Sequence, residues 1–303
     1  MSHKSGYVSI IGKPNAGKST LLNAILGEKL SIATSKPQTT RKKILGIHSS
    51  ENYQIIFLDT PGIMNPEYLL QHRMLEFVAQ SVKDADLILF ILDAEADSNG
   101  TKAFEDETVQ RLMNENATPK ILLINKIDVS RQETIEKLVE QANAKGWFQK
   151  IIPISAIKSV NTKTVVESIL EFLPEHPKYY PDDQLSDENE RFFVSEIIRE
   201  KVFEIYREEI PYSTEVEIEE FAEREGRKDY IRASIIIERE SQKPIIIGDK
   251  GSTIKKLGRT SREAIEAFLQ REVFLELFVK VKEKWRSNPN MLNRFGYKAE
   301  SDD

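Results

Sequence analysis

The chain has 303 residues, long enough for two domains that each bury a core. It has no cysteine, which excludes disulfides, thiolate metal sites and cysteine nucleophiles. Its net charge of −6 excludes a molecule that is basic all over, so any nucleic-acid surface has to be local. No apolar run approaches the ~20 residues of a membrane span. The first residues run straight into an apolar strand with no room for a signal peptide, so a soluble, intracellular protein is expected.

The first predicted strand is Tyr7 to Ile11, short and β-branched, and a helix is predicted from Thr20 to Leu26, stopping at Gly27. Between them lie Gly12, Lys13, Pro14, Asn15, Ala16, Gly17, Lys18 and Ser19, in the pattern G-x-x-x-x-G-K-[ST]. The glycines let backbone N–H groups wrap a phosphate, the lysine reaches the outer phosphates, and the serine hydroxyl is placed for Mg²⁺. This stretch predicts a nucleoside-phosphate site.

Residues 31–43 have neither helical nor strand periodicity and contain Gln38-Thr39-Thr40-Arg41. In a phosphate-loop protein this loop is where a threonine can reach Mg²⁺ and sense the γ-phosphate. The pattern does not choose between Thr39 and Thr40; Thr40 is favoured. Two strands, Ile44 to His48 and Gln54 to Leu58, then lead into Asp59-Thr60-Pro61-Gly62. An acid directly after a buried strand is placed to support the metal, and the Gly62 N–H to meet the γ-phosphate. Thr20, Thr60, Pro61 and Ile63 are grouped with the nucleotide-binding residues. Ile63 stands where many such switches carry the glutamine that orients the attacking water.

A helix from Glu67 to Lys83, a fully buried strand from Ala85 to Asp93 and a helix from Ala103 to Asn114 follow. The strand Lys120 to Ile124 runs into Asn125-Lys126-Ile127-Asp128. The aspartate of N-K-x-D can accept from the ring N–H and the exocyclic amine of guanine together, a pair of donors adenine lacks. A helix (Gln132 to Ala144), a strand (Lys150 to Ile154) with Ser155-Ala156 after it, and a helix (Asn161 to Leu173) complete the alternation. Ser155 and Ala156 are expected to back up base recognition through the main chain. The pattern predicts a doubly wound, parallel-rich α/β domain over 1–173, with its ligand at the strand C-termini.

Pro174 to Glu190 is proline-rich, acidic and polar, and reads as a linker. From 191 to 303 the order is helix (Arg191 to Arg207), two strands (Thr214 to Phe221, Tyr230 to Ile237), short helix (Pro244 to Ile247), helix (Ser252 to Gln270) and strand (Glu272 to Val281). Gly248-Asp249-Lys250-Gly251 separates the two central helices, with Lys255, Lys256, Arg259 and Arg262 just beyond. A G-x-x-G in this order is the backbone clamp of an α+β KH domain of type II. The basic-apolar run Lys282 to Arg286 also admits a membrane-associated reading, and a constitutive RNA-binding module with a structural nucleotide is a further alternative.

Taken together and in this order, Gly12–Ser19, Gln38–Arg41, Asp59–Gly62, Asn125–Asp128, Ser155-Ala156 and Gly248–Gly251 resemble the Era family of GTPases. The resemblance spans nearly the whole chain. It implies a GTPase that binds GTP/GDP and Mg²⁺ and acts in small-subunit ribosome assembly. Its partner would be the 3′ region of small-subunit ribosomal RNA. It further implies a cytoplasmic location, with peripheral contact at the inner membrane face, and a monomer is expected. Lys18, Thr40, Gly62 and Asn15 are the expected catalytic residues. Ser19, Thr40 and Asp59 are expected at the metal, and the loop with Lys255, Lys256 and Arg259 on RNA. Asn15 is also a candidate ligand for K⁺, as in related GTPases with this asparagine. Ile157, after Ser155-Ala156, departs from the lysine common in GTPases at large.

Overall fold

A computed structural model describes residues 3–34, 36–115 and 117–298. Two compact units are distinct. One holds the residues up to 67 and 71–187, and the other holds 68–70 and the chain from 188 onward.

The first unit is built on a six-stranded sheet with strands β1 (Lys4–Gly12), β2 (Ile44–Ser49), β3 (Tyr53–Asp59), β4 (Leu87–Asp93), β5 (Lys120–Asn125) and β6 (Lys150–Pro153). Its order is β2-β3-β1-β4-β5-β6, and only β2 runs antiparallel to its neighbour. Every residue of β4 and β5 is buried, as expected of strands covered on both faces. The helices are α1 (Lys18–Leu26), α2 (Leu69–Asp84), α3 (Thr101–Phe104), α4 (Glu107–Asn114), α5 (Gln132–Lys145) and α6 (Thr162–Phe172). The ends of β1, β3, β4 and β5 deliver Gly12, Asp59, Asp93 and Asn125 to one edge of the sheet. That edge is where a doubly wound sheet binds its ligand.

The single helix expected over Ala103–Asn114 is two helices. The chain breaks at Glu105-Asp106 because Asp106 leaves helical geometry and caps α4, accepting from the Val109 N–H at 3.0 Å. Its other carboxylate oxygen takes an ion pair from Lys13 in the phosphate loop. Apolar periodicity continues through such a break, so the pattern alone joins the two.

Residues 174–187 pack on the first unit rather than swinging from it. The Gln54 side chain, fully buried, accepts from the Tyr179 and Tyr180 N–H groups and donates to the Tyr180 carbonyl. Ile47 N–H donates to the Leu185 carbonyl, and the Ser186 hydroxyl to that of Leu45, so the segment also covers the open edge of β2.

The second unit has α7 (Glu190–Ile205), α8 (Ile210–Ser213), β7 (Glu215–Ala222), β8 (Asp229–Ile237), α9 (Lys243–Ile247), α10 (Ser252–Leu269), β9 (Val273–Val281) and α11 (Pro289–Arg294). Its sheet order is β7-β8-β9, antiparallel then parallel. One face of the sheet buries against α7 and α10, around Val194, Ile198, Ile231, Ile235, Leu257 and Ile265. The run Lys282 to Arg286 is not a free basic-apolar tail. Trp285 is fully buried and its indole N–H donates to the Ser213 carbonyl at 2.9 Å. Tyr297 is buried too, donating to Glu215 at 2.6 Å. The side chain the membrane reading needed at a lipid surface is part of this core, which removes its basis. Among the described residues no helix is long and apolar enough to cross a membrane.

Candidate functional site

The phosphate loop leaves β1 at Gly12 and enters α1 at Gly17, so the first N–H groups of α1 face the loop's hollow. A helix N-terminus with unpaired N–H groups favours an anion. Lys18 is buried here, and its ammonium donates to the carbonyls of Gly12 (3.3 Å) and Lys13 (3.1 Å). Burial lowers its pKa to about 8, against the pull of the Asp59 charge.

Side chains from separate parts of the chain meet beside it. The Ser19 hydroxyl lies 2.9 Å from that of Thr40 and donates to Asp59 Oδ2 at 2.7 Å, and Ser31 donates to the same oxygen at 2.9 Å. Burial raises the Asp59 carboxyl above its ordinary range, while the Ser19 hydroxyl and the Lys18 charge pull it down. Asp59 Oδ1 is buried with no hydrogen-bond partner. A hard divalent cation suits this set of a buried carboxylate and two hydroxyls. Thr39 stands apart: its hydroxyl donates to the Lys36 carbonyl and meets Thr34, which occupies it within the loop.

Gly62 sits against the phosphate loop. A Cβ there would lie 2.6 Å from the Pro14 nitrogen, so only glycine lets the two backbones approach this closely. The next residue, Ile63, is fully buried in the core with Val78, Phe90 and Leu92, and its N–H donates to the Gly12 carbonyl at 3.0 Å. Thr60 is likewise turned to structure, its hydroxyl donating to the Ile10 carbonyl. Position 63 faces the core rather than the cleft, so Ile63→Gln will not create a water-orienting glutamine. Burying the amide in place of isoleucine costs about 2–4 kcal/mol. The thermal midpoint will drop and turnover will not rise; a faster enzyme at unchanged stability would contradict the placement.

Asn125 joins three loops. Its amide donates to the Ala16 carbonyl at 2.8 Å, and its oxygen accepts from the Ala156 N–H at 3.0 Å. Asp128 is exposed to the cleft, with Oδ1 accepting from the Ser155 hydroxyl at 2.6 Å. Ser155 was expected to contribute through its main chain; in the structure it is the hydroxyl that meets Asp128. Thr20, Lys126, Asp128 and Ala156 line the same cleft of about 530 Å³ as Lys18 and Ser19, and Asn15, Pro14, Thr40 and Gly62 border it. Val129, Ile157 and Glu95 also line it and were not anticipated. An apolar residue directly following each base motif is a signal that could have found the first two.

In the second unit, Gly248 (φ 73°) and Gly251 (φ 77°) both have left-handed φ values. A Cβ on Gly248 would meet the Thr253 hydroxyl at 2.1 Å, so the turn is closed to larger residues. Asp249 and Lys250 stand exposed at its tip. Beyond it, Lys255, Arg259 and Arg262 line a cleft of about 570 Å³ between α10 and β9, joined by Lys228 and Phe274, which sequence did not single out. Lys256 is exposed on α10 but outside that lining.

Two family models match, one described as a 50S ribosome-binding GTPase over residues 7–126 and one as a KH domain over 209–286. The GTPase Era of Clostridium botulinum (strain Kyoto / Type A2) is 44% identical, covering 97% of this chain and 98% of its own. That of Halothermothrix orenii is 45% identical over 99% and 100%. Among solved structures, Era in complex with MgGDPNP and nucleotides 1506–1542 of 16S ribosomal RNA superposes with a TM-score of 0.93. It is 41% identical and covers 98% of this chain and all of its own. A variant of Aquifex aeolicus Era bound to GDP and AlF4⁻ matches equally well, with the same score, identity and coverage. At this identity over the full length, the chain belongs to the Era family of GTPases.

Proposed function

We propose that this protein is a GTP-hydrolysing switch that binds the 3′ region of small-subunit ribosomal RNA and assists assembly of the small ribosomal subunit in the cytoplasm. The observation that carries it is the pairing, in one chain, of a cleft with Asp128 fixed by Ser155 and a glycine-gated basic loop on a KH fold. Support for the RNA comes from the relative of 41% identity that holds 16S nucleotides. The broad family description names the large subunit instead. It is matched by under half of the chain, so the full-length relative is the better guide.

Lys18 and the loop N–H groups stabilise charge on the β and γ phosphates of GTP, and Gly62 approaches the γ-phosphate through its backbone. Ser19, Thr40 and Asp59 are the residues to hold Mg²⁺, which supplies positive charge at the transferred phosphate. Asp128 reads the guanine edge, with Asn125, Ser155 and Ala156 holding it in place. The loop 248–251 clamps the RNA backbone, with Lys255 and Arg259 along its path and Lys256 at its margin. We assign the nucleotide chemistry to the first unit and RNA to the second.

With Ile63 buried, no glutamine steadies the water, and Asn15 at the cleft is the residue we assign to K⁺, whose charge would stand in for an arginine finger. Turnover will be faster in KCl than in NaCl at equal ionic strength; equal rates would remove the cation from the mechanism. The function as a whole is tested by crosslinking the protein to cellular RNA. Contacts are expected between peptides spanning 248–259 and the 3′ end of small-subunit ribosomal RNA. Crosslinks scattered over unrelated RNAs would overturn it.

A further inference from the structure

Asp93 ends β4 directly opposite Asn125 on β5, and it is buried. Its Oδ1 accepts from the N–H groups of Glu95 and Ala96, both at 3.0 Å, which fixes the carboxylate to its own turn. Its Oδ2 holds the Lys126 ammonium at 2.5 Å, with Glu95 a further 3.8 Å contact of that ammonium. The backbones are also tied, Ala94 N–H donating to the Asn125 carbonyl at 3.1 Å. Lys126 has a left-handed φ of 68°, a conformation that a non-glycine residue keeps only when its surroundings hold it. Its side chain lines the nucleotide cleft while its charged end is tied outside the phosphate loop.

We infer that Asp93 is a positioning residue for guanine-nucleotide binding: it pins Lys126 so that the lysine's methylene stem forms one wall of the base pocket before ligand arrives. This rests on the assignment of Asn125–Asp128 to the base. Lysine loses among the most rotamer freedom of any side chain on being ordered. Ordering it in advance removes that cost from binding, which is the general route by which preorganisation raises affinity. The charge of Lys126 is thereby spent on Asp93 rather than on phosphate, so the pair affects how long the base stays and not how fast the bond is cut.

The test compares Asp93→Asn, Lys126→Met and the double variant for release of a fluorescent guanine nucleotide, with single-turnover hydrolysis of bound GTP alongside. Asparagine still accepts from Glu95 and Ala96 through its oxygen, and methionine keeps an unbranched stem. Each single variant will release nucleotide about tenfold faster and the double no faster than either, while Asp93→Asn leaves the single-turnover hydrolysis step unchanged. Effects that multiply in the double variant, or a hydrolysis step that falls with release, would overturn the inference in favour of a structural role. Wild-type release from Asp93→Asn would overturn it as well. If Asp128→Asn in the same assay still discriminates for guanine, the fault lies in the base assignment; if it does not, that assignment stands and Asp93 alone is wrong.

Discussion

An Asp128→Asn protein will lose GTP and take up xanthosine triphosphate. In the proposed function the carboxylate would make two charge-assisted hydrogen bonds to guanine, each contributing about 1.5–3 kcal/mol, so GTP affinity falls by roughly 10²–10⁴-fold. The direction of the new amide is set by its neighbour. Ser155 Oγ already accepts from the Lys158 N–H at 3.2 Å, so its proton points at residue 128 and selects an oxygen there. The asparagine nitrogen is left facing the cleft, where the xanthine oxygen accepts what a guanine amine cannot. Competition between the two nucleotides measures it; continued preference for GTP would show that Asp128 does not read the base.

A charge reversal at the RNA loop has the next largest effect. In Lys250→Glu the new carboxylate stands beside Asp249 at an exposed tip, so two negative charges face the phosphates. Lys250 has a φ of 47°, and glutamate meets the same backbone penalty as lysine, so the fold is indifferent to the exchange. Near the surface the swing of two charge units against close phosphates is worth about 2–4 kcal/mol, on the order of 100-fold in affinity. Because a phosphate contact disappears, the slope of log affinity against log salt also flattens by about one. GTP binding stays as it was. RNA binding with an unaltered salt slope would place the contact elsewhere.

The elements and nucleotide motifs were legible because each is local: a strand, a glycine-rich turn and a helix are written in consecutive residues. The choice of Thr40 over Thr39 was left open in the sequence, since two adjacent threonines differ only in what the folded loop gives them. The Lys36 carbonyl takes Thr39, and Ser19 meets Thr40. Trp285, which kept the membrane-associated alternative open, is the opposite case. A tryptophan among lysines has the composition of a lipid-facing segment, and its partner, the Ser213 carbonyl, lies 72 residues away. The break at Asp106 was hidden because a capping aspartate in a polar stretch does not disturb apolar spacing. Asp93 was within reach, since it repeats the rule that singled out Asp59: an acid directly after a buried strand. Its function follows only from Lys126 lying on the neighbouring strand's end.

The contacts of Asn125 also bear on how the protein is made. Its amide closes on Ala16, 109 residues earlier in the chain, and its oxygen on Ala156, 31 residues later. At a synthesis rate of about 5–20 residues per second, the phosphate loop is complete for roughly 5–20 s before Asn125 exists to brace it. Contacts of this sequence separation close late, after the loop-closure entropy of the intervening chain has been met. The nascent chain therefore carries a finished phosphate-loop sequence long before a finished phosphate loop. A chain made through β6 to Ala156 is the first that can hold all of these contacts, so nucleotide retention would report that the six-stranded sheet has been synthesised and folded.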